Sequence, residues 1–363
     1  MKRIIAYLAA AALLTGCASS DQQRNDNKVD DFRKAPISEA FSEIEMLHKK
    51  TYNKFTLPKE IKTLSISKAY ELSSNTPAGS LSEETVTTVY KAFYKDKYSE
   101  AALVKDERGG LLYRAGDNDS SYWGHDLYLV SEDYLPYVEA QPKHYDSYSD
   151  SNESAELSDS MTTVGELSER ISRELNDLLK PIFGSMTVSV EELDINADDV
   201  YFVCSLEMED IPFQYCPSAY NDTDINGSMV YWSFSSLNGV YSADGFRMIN
   251  AAAPINVTGK QELNDIVPLT EAVSILDREL ANNIKLEFTD ITLMYCCLTY
   301  QPTINRVDPE KASEADKLTE EYNLTEKKYV PMWCFRIAGE SPAGTEYVKV
   351  NAVTGELFMD VRR

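Results

Sequence analysis

The sequence predicts an α+β fold of tandem modules, each one helix packed on an antiparallel sheet, and three observations point there. Val164, Leu167, Ile171, Leu175, Leu178 and Leu179 recur every three or four residues, and Leu269, Ala272, Val273, Leu276, Leu280 and Ile284 do the same, so each stretch reads as an amphipathic helix. Each helix is followed by an apolar, strand-like run, Val200 to Leu206 and Ile291 to Tyr300, whose alternating side chains leave one greasy face in need of a cover. Finally, Trp232-Ser233-Phe234 precedes Asn250-Ala251 by 18 residues, and Trp333-Cys334-Phe335 precedes Asn351-Ala352 by the same 18. Arg173-Glu174-Leu175 and Arg278-Glu279-Leu280 repeat within the two helices. A fixed-offset repeat of this kind is the mark of duplicated structural units.

From the N-terminus, Lys2 and Arg3, an apolar run from Ile4 to Leu14 and then small residues have the three-part order of a secretory leader, residues 1–16. The run is too short to cross a hydrocarbon core of about 30 Å. Leu14-Thr15-Gly16-Cys17 follows it directly. That tetrad resembles the lipobox of bacterial lipoproteins, and the resemblance implies that the Cys17 thiol carries diacylglycerol and that the leader is cut away. Two or more acyl chains hold a protein stably at a bilayer, where one does not. The expected location is therefore the cell membrane or envelope, on its extracytoplasmic side, with residues 17–35 as a polar tether.

An N-terminal α+β domain is expected over 36–145. Ser38 and Ser82 are placed to cap helices, the second with Glu83 and Glu84 in its first turn. Thr63 to Leu72 and Leu111 to Arg114 look strand-like, with Gly109-Gly110 as a turn. Residues 146–163 contain six Ser and five acidic side chains, a composition that favours a linker or long loop. The first module then spans 164–260, opening on a capping box at Thr163 and Glu166 and with its helix ending near Pro181. The second spans 261–363, its helix following Pro268 with Thr270 as N-cap.

The second module closes with Tyr347-Val348-Lys349-Val350-Asn351-Ala352-Val353-Thr354-Gly355-Glu356. An aromatic-bearing strand, an alternating strand and then N-A-x-T-G-E resemble the terminal hairpin of PepSY-type domains, and are similar to the extracytoplasmic YycH and YycI regulators of sensor kinases. The resemblance covers 269–360, with an echo in 164–257. Gly355 supplies the positive φ such a turn needs, whereas Pro254 stands at the matching place in the first module. The lipobox departs from the transmembrane anchor usual in those kinase regulators. The resemblance implies a non-catalytic role outside the cytoplasm, inhibiting or regulating a protease or adjusting a membrane partner, and it transfers no catalytic residue.

Charge narrows the partners. The chain has 35 Lys and Arg against 59 Asp and Glu, a net −24, and removal of the leader makes this −26. Such a surface repels a phosphate backbone, so nucleic acid is not an expected partner, and the average body is repelled by an anionic bilayer as well. Beyond Cys17, five cysteines remain, Cys204, Cys216, Cys296, Cys297 and Cys334, and they are expected to be small buried residues in preference to disulfides. Adjacent Cys296 and Cys297 point to opposite faces of a strand.

Motifs for chemistry are sparse. Asp222, Asp224 and Asn226 before Gly227 match the first half of a calcium loop, but the Glu at position 12 is replaced by Ser233 and Asn226-Gly227 is itself a hairpin signal. They are a weak calcium candidate, and no other cofactor is expected. Asp117, Asp119 and Ser121 form a poorer version. Ser65-Ile66-Ser67-Lys68 has S-x-x-K spacing, without the K-T-G and S-D-N partners of penicillin-recognising enzymes. Tyr122, Trp123, Tyr128, Tyr134, Tyr137, Tyr145 and Tyr148 crowd into 27 residues; aromatic faces can stack on sugars or peptides, and they also fill cores. The expected partner is an extracytoplasmic protein or peptide. The rival reading is a cell-surface carbohydrate-binding protein or hydrolase using the aromatic cluster.

Overall fold

Two of the helices are set by their first residues. A computed structural model describes residues 32–75, 81–105, 110–116, 118–123, 126–134, 142–147, 150–157, 160–196, 198–214, 236–252, 256–282, 285–298, 326–338 and 347–359. Helix α1 is the single turn Ile44–Leu47; α2 is Glu83–Tyr94, α3 Val164–Phe183 and α4 Leu269–Glu279. Ser82 starts α2 by accepting from the Thr85 N–H, and Thr163 with Glu166 forms the full capping box of α3. Pro181 sits in the last turn of α3, which runs on to Phe183 and closes at Gly184 with φ +62°. Two expected caps differ. Ser38 lies inside a short 3-10 turn, Ile37–Glu39, that has no side-chain cap. Thr270 lies within α4, where its carbonyl accepts from the Ser274 hydroxyl; Pro268 precedes the helix, because its fixed φ suits the entry.

The strands, in chain order, are β1 (Ala35–Pro36), β2 (Phe55–Thr56), β3 (Ala69–Asn75), β4 (Leu103–Lys105), β5 (Leu111–Ala115), β6 (Asn118–Trp123), β7 (Asp126–Val130), β8 (Lys143–Asp146), β9 (Ser154–Leu157) and β10 (Ser160–Thr163). They continue as β11 (Thr187–Asn196), β12 (Asp199–Met208), β13 (Ile211–Pro212), β14 (Ser236–Ser242), β15 (Gly245–Ala252), β16 (Asn256–Leu263), β17 (Asp265–Ile266), β18 (Leu286–Cys297), β19 (Glu326–Ile337), β20 (Tyr347–Asn351) and β21 (Leu357–Met359). One sheet has the order β4-β5-β6-β7-β15-β14-β12-β11-β8, with β13 on β12; the other has β16-β3-β19-β18-β2, with β20 on β19 and β21 on β20. Pairing in both is antiparallel except between β18 and β2. The fold is therefore α+β, with few helices against large antiparallel sheets.

Residues 36–145 contribute strands to both sheets. β5 to β7 extend the first through β7 on β15, and β3 lies inside the second between β16 and β19. Of the stretch 63–72, only the end from Ala69 is strand. Residues 154–157 and 160–163, within the expected linker, form a hairpin whose Ala155 and Leu157 are buried, so two apolar side chains on one face outweigh the polar composition.

The apolar stripes set the packing. In α3, Val164, Leu167, Ile171, Leu175 and Leu179 are each 0% exposed, and the helix lies on β11. A bulge at Glu191 lets Val188 and Val190, then Leu193 and Ile195, all face that helix. α2 packs beside α3 and β5, while α4 lies against β20, β21 and α1. Trp333 is fully buried, its indole N–H donating to the Val267 carbonyl at 2.7 Å and its ring meeting Phe41 edge-on. Trp232 is outside the described residues. Cys204, Cys296 and Cys334 are buried, Cys297 is half-buried, and none of the four is in a disulfide. Cys296 and Cys297 do lie on opposite faces of β18.

Candidate functional site

Among the described residues, those singled out by sequence do not come together as one site. Cys17, the loop residues Asp222, Asp224 and Asn226, and Tyr137 and Tyr148 lie outside the described residues. Among the described residues, no group of three or more His, Cys, Asp and Glu is arranged to hold a metal ion. Tyr122 is buried and its hydroxyl accepts from the Leu81 N–H at 2.6 Å. Tyr122 pairs with Leu127, and Tyr128 with Ser121, so the two tyrosines face opposite sides of the sheet. Burial raises the Tyr128 phenol. Trp123 ends β6. Tyr134 follows the turn after β7, where the Asn118 side-chain amide donates to its carbonyl at 3.0 Å. Tyr145 is buried on β8, the far edge of the same sheet, with the Lys143 ammonium 4.4 Å above its ring. Ser65, Ser67 and Lys68 lie outside any helix, and Lys68 approaches Glu262 at 3.9 Å.

A different place has the shape of a site. A cleft of about 810 Å³ opens where the C-terminal end of α2, the turn Lys95–Lys97, the loop Ser131–Asp133, one flank of α3 and the β14–β15 hairpin meet. Its floor is held firmly. The Tyr94 hydroxyl donates to the Val130 carbonyl at 2.7 Å and also contacts the Ser120 hydroxyl, and Tyr94 stacks on Tyr113 at 4.1 Å. Burial pushes the Tyr94 phenol up to about 12. Lys95 turns the chain at the end of α2 with φ +52°, a conformation costly for a non-glycine residue, at about 1–3 kcal/mol. On the opposite wall, Ser242 pairs with Gly245 across the tip Ala243-Asp244, and Gly245 takes φ +112° with open space where a side chain would stand.

Charge on the lining is unequal. Asp96, Glu132, Asp133, Glu174, Asp177 and Asp244 contribute six carboxylates against Lys95, Lys97 and Arg247. Arg247 is partly engaged already, with Nε 3.3 Å from the Asp199 carboxylate. Tyr241 donates to Glu174 at 3.1 Å, and desolvation first, then the Glu174 charge, pushes its phenol up to about 12. Asp133 is held below the usual carboxylate range by the Ser131 hydroxyl first and by its own backbone N–H, with Arg247 and Lys97 helping. Phe93, Leu178 and Phe246 add apolar surface between these charges. Such a lining can hold a cation-bearing chain: carboxylates for the charges, phenyl and leucine surface for what lies between them.

Sequence reading missed this site because its residues come from four distant segments. Glu174 stood in the Arg-Glu-Leu repeat, where it served only as a mark of duplication. One further group was missed. Glu207 on β12 has its carboxyl raised to about 7, by burial first and by Glu191 and Asp210, with Lys62 opposing. Glu191 is itself the bulge residue and accepts from Ser205 at 2.7 Å.

No family model matches the chain, and no curated protein matches it. Among solved structures it is similar to an uncharacterized protein from Eubacterium rectale ATCC 33656, at 13% identity and a TM-score of 0.48, over 86% of this chain and 92% of that one. No described helix is long and apolar enough to cross a membrane.

Proposed function

We propose that this chain is a lipid-anchored extracytoplasmic protein that works by holding a protein or peptide partner, and that the cleft beside the β14–β15 hairpin receives a basic segment of that partner. The observation that carries the reading is the six-to-three excess of carboxylates on a wall that also offers Phe93, Leu178 and Phe246. The anchor comes from Leu14-Thr15-Gly16-Cys17, which resembles a lipobox. Tethering raises the local concentration toward membrane partners, so weak contacts suffice. The carbohydrate or hydrolase alternative needed the aromatic cluster as a surface, and buried Tyr122 and Tyr145 leave less of it to offer a ligand.

Residues 164–260 and 261–363 are read as tandem PepSY-like modules. Supporting this, α3 is followed by β11, β12, β14 and β15 as sheet neighbours, and α4 by β18, β19, β20 and β21. The N-A-x-T-G-E turn adds to it: the Asn351 side chain accepts from the Val353 and Thr354 N–H groups, and Gly355 takes φ +72°. In-cell crosslinking with mass spectrometry of the captured neighbours tests the function. A captured protein should be lost, by about tenfold, in Glu174→Gln with Asp177→Asn, two charges at one contact each contributing several-fold. Recovery of glycans alone, or capture unaffected by the double substitution, overturns the reading.

A further inference from the structure

The first described stretch of the chain forms a strap along α4. β1 pairs with β17, the Leu269 N–H donates to the Ala40 carbonyl at 2.9 Å near the start of α4, and the Lys54 ammonium caps the Asp277 and Arg278 carbonyls at its end. Between these points α1 rests on α4. Leu47 is turned inward at 2% exposed, yet its neighbour Met46 is 48% exposed, one of few large apolar side chains among the described residues that are presented to water. His48, Lys49 and Lys50 follow, all exposed, and neither lysine enters an ion pair among the described residues. Glu43 and Glu45 lie at the opposite end of the same turn.

Charge is distributed unevenly along the chain. Residues 32–68 carry eight Lys and Arg against four Asp and Glu, whereas 69–363 carry 23 against 51. Residues 32–68 are thus net +4 and residues 69–363 net −28, while the stretch 18–31 between Cys17 and the strap carries two basic against four acidic side chains, net −2. Only 14 residues separate Cys17 from Phe32, a reach of at most about 50 Å when fully extended. Phe32 in turn lies at the Gly355 turn, against which Ile275 of α4 also packs. The tether therefore enters the body on the side of the strap.

We propose that this strap is the face of the protein that meets the bilayer, with Lys49 and Lys50 on anionic lipid headgroups and Met46 as the apolar contact between them. The proposal rests on the anchored reading of Cys17, because without an anchor the acidic body is repelled. With one, the same repulsion is orienting: an anionic surface pulls the +4 end inward and pushes the −28 remainder out. The side on which the tether enters gives the same orientation.

The test separates this from acylation itself. The Cys17→Ser chain, with a hexahistidine segment in place of its leader, is held on vesicles by a nickel-chelating lipid, in phosphatidylcholine alone or with added phosphatidylglycerol. Amine-reactive footprinting should find Lys49 and Lys50 modified about fivefold or more slowly on the anionic vesicles, consistent with the attraction of single basic residues to such surfaces. Lys143 and Lys260 should be unchanged, and 1 M salt should restore labelling. In Lys49→Glu with Lys50→Glu, Met46 should lose its protection from oxidation. Equal labelling on the two vesicles, or protection spread evenly over all four lysines, overturns the proposal and leaves the patch to an acidic protein partner. Failure of Cys17 acylation would instead show in the mass of the mature native chain, and would leave this measurement standing.

Discussion

Residues 164–252 and 269–359 each lay down a helix and then four main antiparallel strands, yet the two halves use their last hairpin differently. In the first, the tip between β14 and β15 is unfilled at Gly245 and forms one wall of a cleft. In the second, the turn between β20 and β21 is plugged: a side chain added at Gly355 would stand 3.0 Å from the Phe32 ring. Similar local architecture thus supplies a candidate binding place where the tip is left open, and a seat for the N-terminal strap where it is covered. The sequence marks do not follow the same correspondence. Asn250-Ala251 lies within β15, the fourth main strand of its half, while Asn351 ends β20, the third. Matches at a constant offset recorded strand chemistry, not equal position in the sheet.

The sharpest way to break the comparison is at the packed half. Trp333→Ala removes a fully buried indole and leaves the Val267 carbonyl without that donor, an expected loss of about 3–5 kcal/mol in equilibrium denaturation. A loss under 1 kcal/mol would mean the strap and α4 do not depend on that core.

Next in size is Glu207, behind the open half. Its folded pKa, raised from 4.5 to about 7, means the folded state takes up a proton more readily than the unfolded chain. The associated stability is present below about pH 4.5 and is lost as pH rises through about 7, an effect on the order of 2 kcal/mol. Glu207→Gln should flatten that decline in a pH series of urea titrations and raise stability at pH 8. Persistence of the full slope in the variant would place the titration elsewhere.

Smaller still are the helix starts. Thr163→Ala removes a capping box and should cost about 1 kcal/mol. Thr270→Ala, in a helix with no side-chain cap, should cost less than about 0.5 kcal/mol. Equal losses would show that the two helices begin alike. The pair of measurements needs only thermal or chemical denaturation of single variants.

What could be read from the sequence was local. Ser82 and Thr163 announced α2 and α3 because capping is settled within four residues, and the α3 stripe revealed its buried face by spacing alone. Gly355 was legible for the same reason, since a turn after N-A-x-T needs positive φ. Ser38 misled because a capping residue type does not by itself start a helix: it sits in the middle of a single 3-10 turn that Pro36 precedes and that no side chain caps. The hairpin at 154–163 was hidden by serines and acids, although two buried apolar residues were enough to seat it. The cleft had no local signature at all: Lys95, Asp133, Glu174 and Asp244 meet only after the sheet has formed. The same holds for the strap, whose fit against α4 joins residues more than 200 positions apart.

The position of β3 also decides when this chain can fold. Residues 69–75 wait between two neighbours, 256–263 and 326–337, that are synthesised long after them. Closing such distant pairings is slow, and a polypeptide truncated after β16 would leave one margin of β3 without the partner that β19 supplies. Nascent or proteolysed forms lacking the last quarter of the chain should therefore be the sticky ones, ready to add foreign strands where the native tail belongs.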